Sequence, residues 1–434
     1  MKKTAILLAA LLFILPLSAQ KDEIIKTGWN VGPLPVVGFD SDLGFQYGLC
    51  CDVFNYGDGT NYPQYNYKIN IEASTYTKGS SILRTYGDFK TLIPDGKLFF
   101  DITWFNAPKF GFYGYNGYST LYLPLETEAF VPGTLPGTLP DYAKTGYNFM
   151  SRDQFRVLAS VRKTITGHLN AAAGLAFYHI KTGRLTLDEY DGQITLFDVY
   201  STYDLIRENE KDGGNVTQIR AGLIYDSRNH DSDPTKGENI ELSLVYSPDI
   251  IDGKGYSNLG LHLNVCQYLP LYKDRLTFAY RAMVQTNLWG EIPYYFTNNI
   301  NSMFFRKMYT EGLGGNASVR GINRNGVLSN GFLMLNAELR WRIYDFKLIN
   351  QNWQIAVNPF FDMGKILQPY RLEEQKACNL NDCNGRETKP HYTAGLGFKL
   401  IMNHNMVVSF EAAKPFDRND GDGLWTNIGF NYLF

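Results

Sequence analysis

Apolar and polar residues alternate along most of this chain with a period of two. From Phe332 the odd positions are Leu333, Leu335, Ala337, Leu339, Trp341 and Ile343, and the even ones include Asn336, Glu338, Arg340 and Arg342. Tyr67, Ile69, Ile71 and Ala73 oppose Lys68, Asn70, Glu72 and Ser74 in the same way. The pattern recurs from Tyr392 to Leu400 and from Met406 to Ala413. Such alternation is the signature of a strand with one polar face. Several runs extend to ten residues or more, close to the roughly 9–11 needed to cross a membrane at a tilt and longer than the usual 5–6 of soluble strands.

Sixteen runs can be placed, near 43–55, 64–77, 81–92, 96–107, 111–124, 152–165, 169–181, 217–227, 238–248, 257–269, 275–289, 331–343, 352–366, 391–401, 405–413 and 424–434. Short turns such as Thr166-Gly167-His168 and Asn403-His404 alternate with longer connections near 126–151, 182–216, 290–330 and 367–390. That asymmetry predicts an all-β fold: a transmembrane antiparallel barrel of sixteen strands with short periplasmic turns, long outer loops and both termini in the periplasm. Residues 1–20 read as a signal peptide, with Lys2 and Lys3 before an apolar run from Ala5 to Leu15 and a cleavage site near Ala19 or Gln20. Residues 21–42 read as a short periplasmic segment, and 43–434 as one barrel.

Composition agrees. The chain has 30 Tyr and 28 Phe with 19% charged residues, which suits a wet-inside, greasy-outside barrel with aromatic belts. Composition alone equally allows a secreted β-sandwich or propeller; strand length separates them. Loss of Lys2 and Lys3 would move the formal charge from −2 to −4, too mild to suggest a nucleic-acid partner. After residue 20 no apolar stretch is long enough for a helical span. Of five cysteines, Cys378 and Cys383 lie close together in a polar stretch and would close a small loop disulfide in an oxidising compartment.

The last run, Leu424 to Phe434, places Thr426, Ile428, Phe430, Tyr432 and Phe434 on one face, and its terminal aromatic resembles the insertion signal of bacterial barrels. Four further landmarks appear in order. Tyr225-Asp226-Ser227-Arg228 precedes Pro234-Thr235-Lys236-Gly237. Gly314-Gly315 precedes Val319-Arg320-Gly321-Ile322. Phe361-Asp362-Met363-Gly364 follows, and then Ala394-Gly395-Leu396-Gly397-Phe398. Over 217–434 the chain resembles the barrel of the BamA superfamily, also called the bacterial surface antigen family, whose members insert or secrete proteins at the outer membrane. The resemblance implies that Val319 to Ile322 belong to a loop folded into the lumen, and that Phe361 and Gly364 mark the strand that receives it.

The residues themselves support such a loop. Glu338 shares the polar face of its strand, opposite Leu339, and Asp362 lies opposite Phe361 and Met363, so both carboxylates should point into the barrel. An always-charged guanidinium such as Arg320 can bind either or both through its planar fork. In the resembled family an arginine of this loop meets carboxylates on the next two strands, which matches Arg320, Glu338 and Asp362.

Members of that family with insertase activity carry periplasmic POTRA domains before the barrel; here only about twenty residues separate the signal from the first expected strand. A barrel alone can still open between its first and last strands. Gly44 and Gly48, on the first expected strand, and Gly429 on the last would weaken that seam or simply let the wall curve. No nucleophile, metal spacing or cofactor motif stands out, so no enzyme and no cofactor are expected. Three readings follow: a POTRA-less assembly or transport barrel, set in outer-membrane lipid and served by a separate periplasmic or lipoprotein partner; a passive channel or structural barrel; and a surface adhesin acting through its outer loops.

Overall fold

The computed structural model describes residues 25–117, 146–304, 311–378 and 389–434, apart from short breaks at 63, 186, 191–193, 274, 349–350, 405, 418–419, 422 and 431. The expected signal peptide and Cys383 lie outside these residues. The strands are β1 (Trp29–Asp40), β2 (Gly44–Asn55), β3 (Tyr67–Tyr76), β4 (Ser81–Phe89), β5 (Gly96–Gly111), β6 (Phe149–Thr166), β7 (Leu169–Gly183) and β8 (Gly213–Asp226). The second half adds β9 (Gly237–Ser247), β10 (Asn258–Tyr272), β11 (Leu276–Gly290), β12 (Gly331–Leu348), β13 (Gln351–Gln368), β14 (His391–Met402), β15 (Met406–Pro415) and β16 (Trp425–Phe430). Each pairs antiparallel with its sequence neighbours, and β16 returns to β1 to close the barrel.

The period of two sorts side chains as expected. On β12, Phe332, Met334, Asn336, Glu338, Arg340 and Arg342 are buried in the lumen, while Leu335, Leu339, Trp341 and Ile343 are exposed on the outside. An outward apolar face in place of an outward polar one is how a membrane barrel differs from a soluble sheet.

Two members of the expected strand set change, although sixteen is the right count. The segment read as lying before the barrel contains β1. Gly32, Pro33 and Pro35 argue against a central strand, because proline is confined to sheet edges; β1 is such an edge along most of its length. At the other change, the chain leaves the wall after Gly111, and no strand forms over 112–117. The alternating aromatics there pack into the lumen. Phe112 and Tyr115 are buried and meet Tyr200 edge-on, with ring centroids 5.4 and 5.0 Å away.

These rings belong to a core that fills the long-loop half of the lumen. Tyr115, Tyr200, Tyr294 and Tyr370 join Phe105 and Phe112 in one buried cluster. Its polar atoms are satisfied from within: Asn116 Nδ2 donates to the Tyr370 carbonyl at 2.7 Å and to Gln375 Oε1 at 2.6 Å, and Gln375 Nε2 donates to Tyr200 at 2.9 Å. Buried amides paired this way fix one loop arrangement. The remainder of the lumen is lined mainly by polar and charged side chains.

At the short-turn rim the connection between β8 and β9 crosses the mouth as a strap. Asn229 Oδ1 accepts from the Thr235 and Lys236 amides, which shapes its turn. Asp231 pairs with Lys90 in the turn after β4 at 2.8 Å. Asp233 pairs with Arg342 of β12 at 2.6 Å and with His404 in the turn after β14 at 2.9 Å. His230 stacks on His404 at 4.8 Å, its pKa lowered by burial and by the neighbouring imidazole.

Candidate functional site: the lumen loop and the seam

The connection between β11 and β12 descends into the lumen and ends in a clamp. Arg320 is fully buried and donates five hydrogen bonds to three carboxylates. Its Nε and Nη2 hold Asp362 at 2.8 and 3.0 Å, and its backbone N–H adds a third bond to that carboxylate at 3.1 Å. Nη1 is shared between Glu338 at 2.7 Å and Glu411 at 2.8 Å. The guanidinium carbon lies 3.5 Å from the Phe360 ring centroid. A planar fork bound in this way is fixed in orientation as well as position.

The expected trio of Arg320, Glu338 and Asp362 is therefore brought together, and the structure adds a third acid. Glu411 was legible as a lumen residue, since it alternates with Phe410 and Ala412 on β15; nothing in the sequence said that the arginine reaches that far. Lys399 of β14 donates to Glu411 at 2.6 Å, and Arg340 donates to the free oxygen of Glu338 at 2.8 Å. Three acids are thus paired with three cations in a buried setting, where an unpaired charge would be expensive.

Small residues admit the loop. A Cβ on Gly364 would stand 3.1 Å from Val319 Cγ2 and 3.2 Å from Leu313 Cδ1, so the bare backbone of β13 is the space into which the loop packs. Gly321 takes φ +99°, in the region L side chains avoid, and a Cβ there would approach Thr393 and Ala413 at about 3.3 Å. Val319 and Ile322 are buried with Leu313, Val327, Met334 and Ile366. Phe361 points outward instead, half-exposed on the lipid side.

The loop also reaches the seam. Arg324 pairs with Glu311 of its own loop and with Asp40 at the end of β1, the latter at 2.5 Å. The Arg324 N–H donates to Asp42 at 2.9 Å. Asn316 Nδ2 bridges Asp40 at 3.4 Å and Asn427 of β16 at 3.2 Å. Burial, then the adjacent Asp40, push the Asp42 carboxyl up to about 6, against the pull of Arg324 and Lys78.

Below this bolt the seam is nearly unpaired. β1 and β16 meet at Phe39↔Ile428 and Asp40↔Asn427, with Ser41 donating to the Thr426 carbonyl at 3.2 Å just beyond. On its other side β1 is in register with β2 from Trp29 to Asp40. A cavity of about 400 Å³ opens along this gap, lined by Val36, Phe39 and Gln46 on one side and Met406, Ile428 and Phe430 on the other.

Three expectations change here. Gly44 and Gly48 are on β2, not on the first strand, and face β3: a Cβ on Gly48 would collide with the Ala73 carbonyl at 2.2 Å. They serve close packing within a continuous wall; of the three glycines only Gly429 is on a seam strand. The last strand does not run on to Phe434 as expected: β16 ends at Phe430, and Tyr432 to Phe434 turn into the lumen, where Arg340 donates to the Phe434 main-chain oxygen at 2.8 Å. Cys378 is a free thiol facing the Tyr203 carbonyl at 3.8 Å.

Comparison with known proteins accords with this geometry. The Omp85 superfamily domain model matches residues 65–432. BamA from Haemophilus ducreyi lacking POTRA domains 1–3 superposes with a TM-score of 0.55 at 13% identity, covering 94% of this chain and 70% of that one. CdiB from Escherichia coli superposes with a TM-score of 0.55 at 9% identity, covering 93% of this chain and 63% of that one. No curated protein matches the sequence.

Proposed function

We propose, from the premise that the chain belongs to the Omp85 superfamily, that this outer-membrane barrel passes or inserts polypeptide sideways through the β1–β16 seam. The short-turn rim would face the periplasm, where a separate soluble or lipoprotein partner delivers the client. The observation that carries the reading is the seam itself: two residue pairs where every other pair of neighbouring strands has six or more, beside a cavity of about 400 Å³. An unpaired strand edge is a template for another strand, and opening two rungs costs far less than opening a full ladder.

The filled long-loop half of the lumen favours a lateral path over a straight one and weighs against a passive channel. In this reading the barrel works by mechanics, without catalysis. An adhesin role for the long loops would leave the open seam without a use.

The test is a lock. Cysteines at Phe39 and Ile428, in a background free of other cysteines, should bond across the seam. Oxidised cells should then lose outer-membrane proteins that reduced cells assemble. An unchanged outer-membrane proteome in the locked state would sink the lateral route.

A further inference from the structure

The inner face of the first strands carries a row of side chains outside the loop clamp. Leu34 of β1 pairs in register with Cys50 of β2, Cys50 with Glu72 of β3, and Glu72 with Arg84 of β4. All four line the cavity of about 400 Å³ beside the seam. The cross-strand ion pair that this row invites is not made. Arg84 places Nε and Nη2 on Asp101 instead, at 2.8 and 2.6 Å. Glu72 accepts from neutral donors only, Ser74 at 2.8 Å and Gln46 at 3.2 Å, both on Oε1. Its second oxygen takes no bond among the described residues.

A second acceptor stands beside it. Asn70, two residues earlier on the same face of β3, lines the same cavity and is only 7% exposed. Its Nδ2 donates to Asp52 at 2.7 Å, while its buried Oδ1 has no hydrogen-bond partner. Asp52 is already paired with Lys68 at 3.2 Å. The wall therefore presents a carboxylate oxygen and an amide oxygen that both lack a donor, which is costly for a buried group. An ammonium or guanidinium group meets that need, because it carries donors alone and brings the positive charge that Glu72 does not touch.

The row also indicates where such a cation comes from. A strand laid on the free edge of β1 would lie three strand spacings from β3, about 14 Å. Between them stand Leu34 and Cys50, one apolar and one small. An extended basic side chain can rest its methylene stem on these two and place its charged head at Glu72.

We propose that Glu72 and Asn70 form a cation subsite behind the seam, which reads a lysine or arginine on the lumen face of an entering client strand. The occupant rests on the lateral route; the subsite does not. Glu72 is then a specificity residue. A client with a neutral residue at this level leaves both acceptors unpaired, and one with an acid meets a like charge.

Cys50 is a reporter already in place, directly across the strand pair from Glu72. The purified full-length barrel would carry serine at its other four cysteines. Aminoethyl methanethiosulfonate, an ammonium reagent, should label Cys50 faster than its sulfonatoethyl counterpart, an anion of similar size. Glu72→Gln keeps an oxygen for Ser74 and Gln46, and should lower that rate ratio by about tenfold, the scale of one charge-assisted hydrogen bond. Because two reagents are compared on one thiol, any change in the thiol itself cancels. A synthetic strand of alternating apolar and polar residues with one central arginine should slow labelling by the neutral methyl reagent. The same strand with citrulline, which keeps the shape and loses the charge, should protect several-fold less. Heat-shifted gel mobility confirms that each variant is a folded barrel, and the peptide pair on the unaltered Glu72 decides if Glu72→Gln does not fold. A rate ratio that Glu72→Gln leaves unmoved, or equal protection by the two peptides, would overturn the proposal. The reagent ratio is blind to the client's path, so its failure removes the subsite, whereas a failed seam lock removes the lateral route.

Discussion

The wall beneath the clamp and the wall at the seam are built from opposite materials. β12 and β13 pair from Gly331↔Gln368 to Leu348↔Gln351, with a register shift near each end, and β14 and β15 continue the sheet. Onto that continuous wall the chain places its buried ions. β1 and β16 share two pairs, and there the chain places two prolines, a six-residue strand and a tail that turns away. A buried ion network tolerates little movement, because each charge depends on partners held to within a fraction of an ångström. A movable seam needs the reverse, few bonds to break and no charge stranded when they do. The loop joins the two regions, with Arg320 on the firm wall and Arg324 at the upper end of the loose one.

Removing Arg320 should break this comparison most severely. Arg320→Ala leaves Glu338, Asp362 and Glu411 facing one another in the lumen without the guanidinium that joins them. Truncating one partner of a buried ion network costs about 3–5 kcal/mol. The folded band on unheated gels should convert to the unfolded one at a distinctly lower temperature. Removal of Glu338 and Asp362 together should cost less than it would in a two-acid clamp, because Glu411 still holds the guanidinium. Equal melting of all variants would show that the loop is not braced by these ions.

Arg324→Gln tests the other end. It removes the cation that bridges Asp40 and Glu311 and loosens the upper seam from the loop, at a cost near the lower edge of the same range, about 3 kcal/mol. Its distinguishing effect should be local: the Phe39–Ile428 cross-link should form more slowly, whereas Arg320→Ala would act on the whole loop. An unaltered cross-linking rate would mean that the two strands hold their top pairs without the loop.

How much of this was legible in the sequence follows from the same contrast. The firm wall announces itself, since clean alternation on β12 to β15 places Glu338, Asp362 and Glu411 inward by parity alone, and the motif around Arg320 says what meets them. The seam hides. Pro33 and Pro35 disguise β1 as a linker, because a propensity argument cannot tell an edge strand from no strand. The aromatics after Gly111 alternate like a strand while serving as a lumen plug, since period-two spacing does not say whether hydrogen-bonding neighbours exist. Phe434 keeps the parity of β16 yet leaves its line, and the decisive attraction, Arg340, is ninety-four residues away in sequence. Pairings of that kind are set by tertiary geometry, and no local pattern carries them.

Gly364→Ala should act more gently. The added Cβ meets Val319 and Leu313 at 3.1–3.2 Å, flexible side chains that can yield by a few tenths of an ångström. Overpacking of this size costs about 1 kcal/mol, seen as a small fall in melting temperature with the clamp intact. A larger residue such as Leu should approach the Arg320→Ala phenotype. If Gly364→Leu melts like the parent barrel, the loop does not pack against β13 as closely as the structure has it.

A pH-dependent effect concerns Asp42, in the turn between β1 and β2. Its carboxyl is raised from 3.8 to about 6 by burial and by Asp40. A raised pKa means that the folded state binds the proton more tightly than the unfolded one. The resulting stabilisation is complete below about pH 4 and is lost as pH rises through about 6. Asp42→Asn keeps an oxygen for the Arg324 N–H but removes the charge, so it should melt with the parent below pH 4 and above it in temperature at pH 7. The gap should open across that window and then stay constant. A gap of the same size at every pH would trace the effect to packing, and one that opens in the opposite direction would show that Arg324 outweighs burial and Asp40 at this turn.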